Sequence, residues 1–165
     1  MLSKDKVDSF AQALVHTKEN MRFCVDCFYL TWGERCHICT DSSRQRDSIC
    51  VVAEPKDVLS IDQSNSYKGL FHVLGGVISP LDGVYPEVLR IKELQQRCST
   101  GEVKDVILAL NPTVEGDTTS LYLQEVLAPL PVSVYQLAQG IPIGSDVAYL
   151  DEVTIGKAFE GKQKL

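Results

Sequence analysis

The middle of the chain alternates short apolar runs with amphipathic stretches. Four runs are rich in β-branched or aromatic residues and end at Pro, Gly or polar residues, as buried strands do: "ICVVAEP", "LFHVLGG", "VKDVILAL" and "VSVYQLAQG". The stretches between them carry apolar residues at helical spacing: "KDVLSIDQSNSYKG", which runs out into polar residues and Gly69, "PEVLRIKELQQRC" and "DTTSLYLQEVLAPL". Strands that alternate with helices predict an α/β fold with a mainly parallel, four-stranded sheet.

The boundaries of one helix carry a specific expectation. Pro86 is predicted to occupy the first turn, where a missing N–H costs nothing. Val88, Leu89, Ile91 and Leu94 then fall at helical spacing and predict a buried stripe.

The two ends of the chain differ from its middle. Residues 4–21 place four apolar residues near one face of an amphipathic helix: Val7, Phe10, Leu14 and Met21. The tail mixes turn residues with one short helical stretch around residues 149–159.

Composition and charge narrow the class of protein. The 165 residues are enough for one compact domain and a small module, and the net charge of −6 argues against a surface built to bind nucleic acid. We therefore expect weak, salt-sensitive DNA affinity and a basic protein partner.

No apolar run approaches the roughly 20 residues of a membrane span, and "MLSKDKVDSF" lacks the apolar core of a secretory signal. We expect a cytosolic protein.

Four of the six cysteines form a C-x2-C-x8-C-x2-C pattern. Two CxxC turns place four thiolates around one ion, so the spacing predicts one structural Zn²⁺ per chain; the ligands are Cys24, Cys27, Cys36 and Cys39. The alternatives are unrelated buried thiols or a redox-active CxxC pair. His37 lies inside the second turn, but as a ligand it would leave a surplus cysteine, so we expect it to be a bystander.

Nearby aromatic residues and the other two cysteines have simpler expected roles. Tyr29 and Trp32 are predicted to pack over the metal site, because so short a segment has too few apolar residues to form a core of its own. Cys50 and Cys98 are expected to fill the apolar core, and His72 to be a hydrogen-bonded core or edge histidine.

The loop "NPTVEGD", Asn111 to Asp117, follows a predicted strand and precedes a predicted helix. A metal-dependent phosphoryl-transfer enzyme places carboxylates at such a turn, yet Asn111 and Thr113 carry no charge. Glu115 and Asp117, with Glu54 after the first strand, could still hold a metal weakly or form a solvated face. No nucleophile with a positioned base is evident, so we expect no catalysis.

A family resemblance rests on several of these motifs in order. The four cysteines, "ICVVAEPKDVLSID", "LGGVISPLDGVYPEVLRIKEL", "LALNPTVEGDTTSLYL" and "QGIPIGSDVAYLDEVTIGKAFEG" together resemble RecR, the family of bacterial recombination mediators. The middle of the chain is similar to a Toprim domain, whose catalytic members hold Mg²⁺ with a Glu and a D-x-D pair. Glu54 matches that Glu, whereas Asn111 and Thr113 stand at the D-x-D positions, so the resemblance argues against bound Mg²⁺.

The resemblance also implies partners. A RecR protein acts with RecO and RecF at gapped or single-stranded DNA to help load recombinase, and RecO contacts the acidic Toprim surface. Glu54, Glu115 and Asp117 are the candidate contacts with RecO. The alternative function is a Mg²⁺-dependent Toprim nuclease or primase-like enzyme.

A DNA-binding patch is a further candidate. Four arginines surround the cysteines and could contact phosphate: Arg22, Arg35, Arg44 and Arg46. Acidic residues interleave with them, which favours a mixed solvated surface instead.

The resemblance finally sets expectations for organisation. RecR proteins begin with a helix-hairpin-helix segment, and no such stretch precedes the cysteines. Either the natural protein lacks that segment or this is a truncated form that starts at an introduced Met, and we expect the second. Without that segment we expect at most a dimer through the C-terminal region, where intact family members form tetrameric rings. The predicted units are an N-terminal helix (1–22), a four-cysteine zinc finger (23–48), a Toprim domain (49–138) and a self-associating tail (139–165).

Overall fold

The computed structural model describes residues 3–163. The outermost residues of the predicted N-terminal helix and of the predicted tail, and with them the expected introduced Met, lie outside this range. No helix within residues 3–163 is long and apolar enough to cross a membrane.

A four-stranded sheet forms the centre of the molecule. Its strands are β3 (Ser48–Val52), β4 (Leu70–Val73), β5 (Asp105–Leu108) and β6 (Ser133–Gln136). All neighbours are parallel and the order is β4-β3-β5-β6. The predicted α/β fold with a parallel, four-stranded sheet is therefore confirmed.

Helices and a small cysteine-containing module cover the two faces of this sheet. Helices α4 (Ile91–Ser99) and α5 (Val114–Leu127) pack on one face, where Leu94, Leu123 and Leu127 are fully buried against the strands. Helix α3 (Pro55–Gln63) and the cysteine module (residues 23–48) cover the other face. The sheet thus lies between two apolar cores.

The cysteine module contains little regular structure. Strands β1 (Arg22–Phe23) and β2 (Leu30–Thr31) form an antiparallel hairpin, and α2 (His37–Thr40) is a single turn. Because so short a segment has few apolar residues of its own, its order depends on the cysteines and on contact with the sheet.

The prediction for residues 86–94 is partly wrong. Pro86–Val88 forms a separate 3-10 turn, and α4 begins only at Ile91. Leu89, Ile91 and Leu94 are buried as predicted, but Val88 is 66% exposed because it lies in that turn. Pro86 does start a helical segment, though not the one that packs on the sheet.

Both ends of the chain are helical. Helix α1 (Lys4–Asn20) has no buried residue, so its predicted apolar face, including Phe10 at 67% exposure, is open in the structure. In the tail, a 3-10 turn (Val147–Tyr149) precedes α6 (Glu152–Glu160). Helix α6 lies beside the ends of β5 and β6 and lines a cleft there.

Candidate metal centre and acidic cleft

The four predicted metal ligands come together in the cysteine module. The sulfur atoms of Cys24, Cys27, Cys36 and Cys39 all lie within 4.8 Å of one another, and all four residues are buried. None of them forms a disulfide. The cluster can therefore bind a metal ion.

The chemistry of the cluster fits Zn²⁺. Four thiolates around a tetrahedral zinc, with Zn–S bonds of about 2.3 Å, lie about 3.8 Å apart, and the Cys27 and Cys36 sulfurs are 3.5 Å apart. The Cys36 N–H donates to the Cys24 sulfur at 3.3 Å, a contact that stabilises a thiolate. Hydrogen bonds with Cys27 and Cys39 lower the pKa of Cys36, whereas hydrogen bonds with Cys36 and Cys39, and burial, raise the pKa of Cys27. A bound cation would favour the thiolate form of all four cysteines.

The cysteines are also part of a core of the sheet. They share one apolar cluster with Val52 of β3, Val58 of α3, and Phe71 and Val73 of β4. The cysteine module therefore covers part of this face of the sheet, as a second helix would. Loss of order at the cysteines would uncover the strands.

Polar contacts fix the cysteine module to the sheet. The Val73 N–H donates to the Cys27 carbonyl at 2.9 Å. Arg44 lies only 12% exposed between the two units, bonded to Asp62 of α3 at 2.5 Å and to the Gly69 carbonyl at 3.3 Å. Because both units contribute to these bonds, the relative position of the cysteine cluster and the sheet is well defined.

His72 of β4 also contributes to the contact between the sheet and the cysteine module. Burial, with the positive charge of Arg97 acting in the same direction, lowers its pKa to about 3. The neutral ring can therefore donate from Nε2 to the Arg90 carbonyl (2.7 Å) and accept at Nδ1 from Arg97 (3.2 Å). The ring also packs edge-on against Phe28 of the cysteine module. His72 is the hydrogen-bonded core histidine that the sequence predicts.

Of the two aromatic residues predicted to cover the metal site, one does so and the other does not. Tyr29 packs on the cysteine cluster, but Trp32 is 56% exposed and contacts His16 of α1 instead. The His37 ring lies edge-on to Tyr29. Cys50 and Cys98 are both buried in apolar surroundings, as predicted for core fillers.

A cleft of about 650 Å³ lies outside the carboxyl ends of β5 and β6 and beside α3, the helix that follows β3. The chain leaves β3 toward β4 and leaves β5 toward β6, so the connections diverge here, which is where parallel α/β sheets usually bind their ligands. Residues from five segments line the cleft: α3, the loop after β5, the first turn of α5, the loop after β6, and α6.

The loop after β5 leads directly into the N-terminus of α5. The Thr113 hydroxyl oxygen accepts a hydrogen bond from the Gly116 N–H at 3.1 Å and caps α5. Gly116 is buried against the Asn111 carbonyl, so close that a Cβ atom would clash with it. Of the two neutral residues, Asn111 lines the cleft, whereas Thr113 caps the helix.

The three acids that the sequence singles out lie at the same end of the sheet but in different positions. Asp117 lines the cleft. Glu54 is exposed at the start of α3 and pairs with Lys56 at 2.7 Å, and Glu115 is exposed in the first turn of α5. They form an acidic rim rather than one convergent site.

Three charged residues of the cleft were missed by the sequence reasoning: Asp57, Asp151 and Lys157. Asp57 accepts from the Glu54 N–H at 2.9 Å, a capping contact that the spacing in "EPKD" could have indicated. Asp151 caps α6 by accepting from Thr154, and these bonds lower the pKa of its carboxyl group. The position of α6 at the cleft depends on tertiary packing, which gives no local sequence signal.

The four candidate DNA-binding arginines are not equivalent. Arg22, Arg35 and Arg46 are exposed, although Arg35 pairs with Asp26 at 3.0 Å. Arg44 is engaged between the cysteine module and α3 and has little surface to offer to a phosphate.

Comparison with known protein families gives matches to two consecutive parts of the chain. Residues 47–138 match the family described as Toprim domain, and residues 140–163 match RecR, C-terminal. The recombination protein RecR of Streptomyces coelicolor is 46% identical over 167 residues, which cover 100% of this chain and 84% of that protein.

Two further relatives agree. The recombination protein RecR of Geotalea uraniireducens is 47% identical, with 99% of this chain and 82% of that protein covered. The protein of the same name from Prochlorococcus marinus is 45% identical, with 99% and 81% covered. Identity at this level along the chain, together with the cysteine cluster and the Toprim match, means that this chain belongs to the RecR family of recombination proteins.

Proposed function

We propose that this protein is a non-enzymatic mediator of recombinational DNA repair, which works with RecO and RecF at gapped or single-stranded DNA to help load recombinase. Membership of the RecR family supports a role in recombination. The residues of the cleft support the absence of enzymatic activity.

One observation carries the proposal: the two positions that need carboxylates for Toprim chemistry hold Asn111 and Thr113. A metal ion in a phosphoryl-transfer site is held by carboxylates, with water and substrate oxygens completing its shell. Thr113 offers a neutral hydroxyl that already caps α5. The nearest carboxylate of α3, Asp57, bonds to the Glu54 N–H. A metal in this cleft would thus lack its two principal anionic ligands.

The acidic rim is the proposed contact with RecO. Glu54, Glu115 and Asp117 are exposed around the cleft mouth, and the chain as a whole carries a charge of −6. A basic surface on the partner would be attracted and oriented by this rim. The rim replaces an active site in this proposal.

The cysteine cluster is proposed to hold one structural Zn²⁺ through all four cysteines. With four protein ligands there is no open coordination position, so the ion would not take part in catalysis. Its effect would be to order residues 23–48 as a zinc finger against the Toprim domain of residues 49–138.

DNA contact and assembly complete the proposal. Arg22, Arg35 and Arg46 provide exposed positive charge, which would give weak, salt-sensitive binding. Residues 139–165 are proposed as a self-associating tail, with a dimer for this chain and a tetrameric ring for intact family members.

A nuclease assay separates this function from the alternative enzyme. We expect no cleavage of single- or double-stranded DNA in the presence of Mg²⁺ or Mn²⁺, because Asn111 and Thr113 cannot replace the missing carboxylates. The matched comparison is the variant Glu54→Gln. Cleavage by the wild-type protein that disappears in this variant would favour the Toprim enzyme and end the adaptor proposal.

A further inference from the structure

The segment between β4 and α4 contains a tightly closed loop, "SPLDG", residues 79–83. Ser79 and Val84 exchange two backbone hydrogen bonds across the base of this loop, each 2.9 Å long. The Ser79 hydroxyl group donates to the Asp82 carboxylate at 2.6 Å, and residues 80–82 form a 3-10 turn. The backbone of the SPLDG loop is thus fixed by contacts within the loop itself.

The tip of this loop exposes an apolar side chain to solvent. Leu81 is 100% exposed, and it lies between Pro80, whose ring fixes φ, and Gly83, whose φ of +73° suits glycine. Tyr85 and Val88, further along the same segment, are 52% and 66% exposed. Leu81 therefore adds nothing to the stability of the fold, although the loop that carries it is ordered.

The SPLDG loop is attached to the helix that carries part of the acidic rim. Ile78, which is buried in the core just before the loop, donates its N–H to the Thr119 hydroxyl group of α5 at 2.8 Å. The same hydroxyl group donates to the Glu115 carbonyl at 2.6 Å. Because Ile78 and Glu115 are bonded to one buried side chain, the loop lies beside the acidic rim.

The charge of the segment limits the kind of partner that Leu81 can meet. Residues 73–89 contain two acids, Asp82 and Glu87, and no Lys, Arg or His. Both acids are exposed. Their negative charge, with that of Glu115, repels nucleic-acid phosphates and anionic lipids and attracts a basic protein surface. The surroundings of Leu81 therefore favour a protein partner with Lys or Arg residues.

We propose that Leu81 is an apolar anchor, which enters an apolar pocket bordered by Lys or Arg on the protein that docks on the acidic rim. The inference rests on the proposed role of the rim and adds a source of affinity to it. The charges orient the partner, whereas removal of Leu81 from water contributes binding energy. Because the loop is ordered before binding, little conformational entropy is lost when the complex forms.

Calorimetric titration with RecO tests the anchor. We expect Leu81→Ala to weaken binding at least about tenfold, because most of the apolar surface of this side chain is lost. Leu81→Met keeps the apolar volume and should retain most of the affinity. The matched control is Leu14→Ala, which shortens an exposed leucine of α1 and should bind as the wild type does. Since Leu81 is fully exposed, Leu81→Ala should unfold in urea as the wild type does.

The salt dependence of these losses separates the anchor from the rim. Relative to the wild type, the loss in Leu81→Ala should persist at high salt, whereas the loss in Glu115→Lys should shrink, because salt screens charges and does not weaken apolar burial. Unchanged affinity of Leu81→Ala beside weakened binding of Glu115→Lys would overturn the anchor and leave the docking surface in place. A wild-type protein that does not bind RecO would overturn both. Weaker DNA binding by Leu81→Ala, with unchanged affinity for RecO, would assign the side chain to nucleic acid and also overturn the proposal.

Discussion

Removal of the metal from the cysteine cluster will destabilise the Toprim sheet as well as the cysteine module. Structural zinc contributes about 10–16 kcal/mol of apparent binding energy in small modules, comparable to the roughly 5–15 kcal/mol that stabilises a whole domain. Here the cysteines share their apolar core with Val52, Phe71 and Val73 of the sheet. We therefore expect chelation to cost at least about 5 kcal/mol and to lower Tm by roughly 10–20 °C.

Calorimetry with and without a strong chelator, alongside metal analysis, measures this effect. The wild type should contain one zinc per chain, and Cys27→Ser should lose it and unfold at the lower temperature. Cys98→Ala is the matched control, because Cys98 is also fully buried but lies in the other core. It should lose a little stability and keep its zinc. A metal-free protein with an unchanged Tm would contradict this account.

Gly116→Ala will destabilise the loop that faces the cleft. A Cβ atom at this position clashes with the backbone carbonyl of Asn111, which cannot move aside as a flexible side chain would. Either the loop shifts or the first turn of α5 opens and loses its Thr113 cap. Overpacking of a buried site costs about 1–3 kcal/mol, and loss of the cap adds about 1 kcal/mol. Urea unfolding gives the change in the free energy of unfolding.

Gly156→Ala provides a control with the opposite expected sign. Gly156 lies within α6, and nothing lies within 4 Å of a Cβ atom placed there. Because Ala favours a helix over Gly by up to about 1 kcal/mol, this variant should be slightly more stable than the wild type. Equal effects of the two substitutions would show that the tight packing at Gly116 is unimportant.

The features that the sequence predicted are those with a local signal. The spacing of Cys24, Cys27, Cys36 and Cys39 forces two tight turns, so their convergence could be predicted without a fold. The strand positions followed from short β-branched runs, since a run buried on both faces needs apolar residues throughout.

The features that were missed depend on contacts between distant segments. Arg44 is one of four similar arginines in the sequence, and only Asp62 and the Gly69 carbonyl distinguish it. Asp151 and Lys157 reach the cleft because α6 folds back on the sheet, which no periodicity encodes. Pro86 was assigned to α4 because a proline suits any helix start, including the 3-10 turn that it actually begins.

The affinity for RecO tests most directly the proposal that the acidic rim is a docking surface. It is measured by calorimetric titration of charge-reversed variants of the rim. We expect Asp117→Lys and Glu115→Lys each to weaken binding at least about tenfold, about 1.4 kcal/mol, because a basic partner surface would meet positive charge. Glu125→Lys, an exposed reversal near the other end of α5, should bind as the wild type does. Unchanged affinity in both rim variants would contradict the proposal that this end of the sheet is a docking surface.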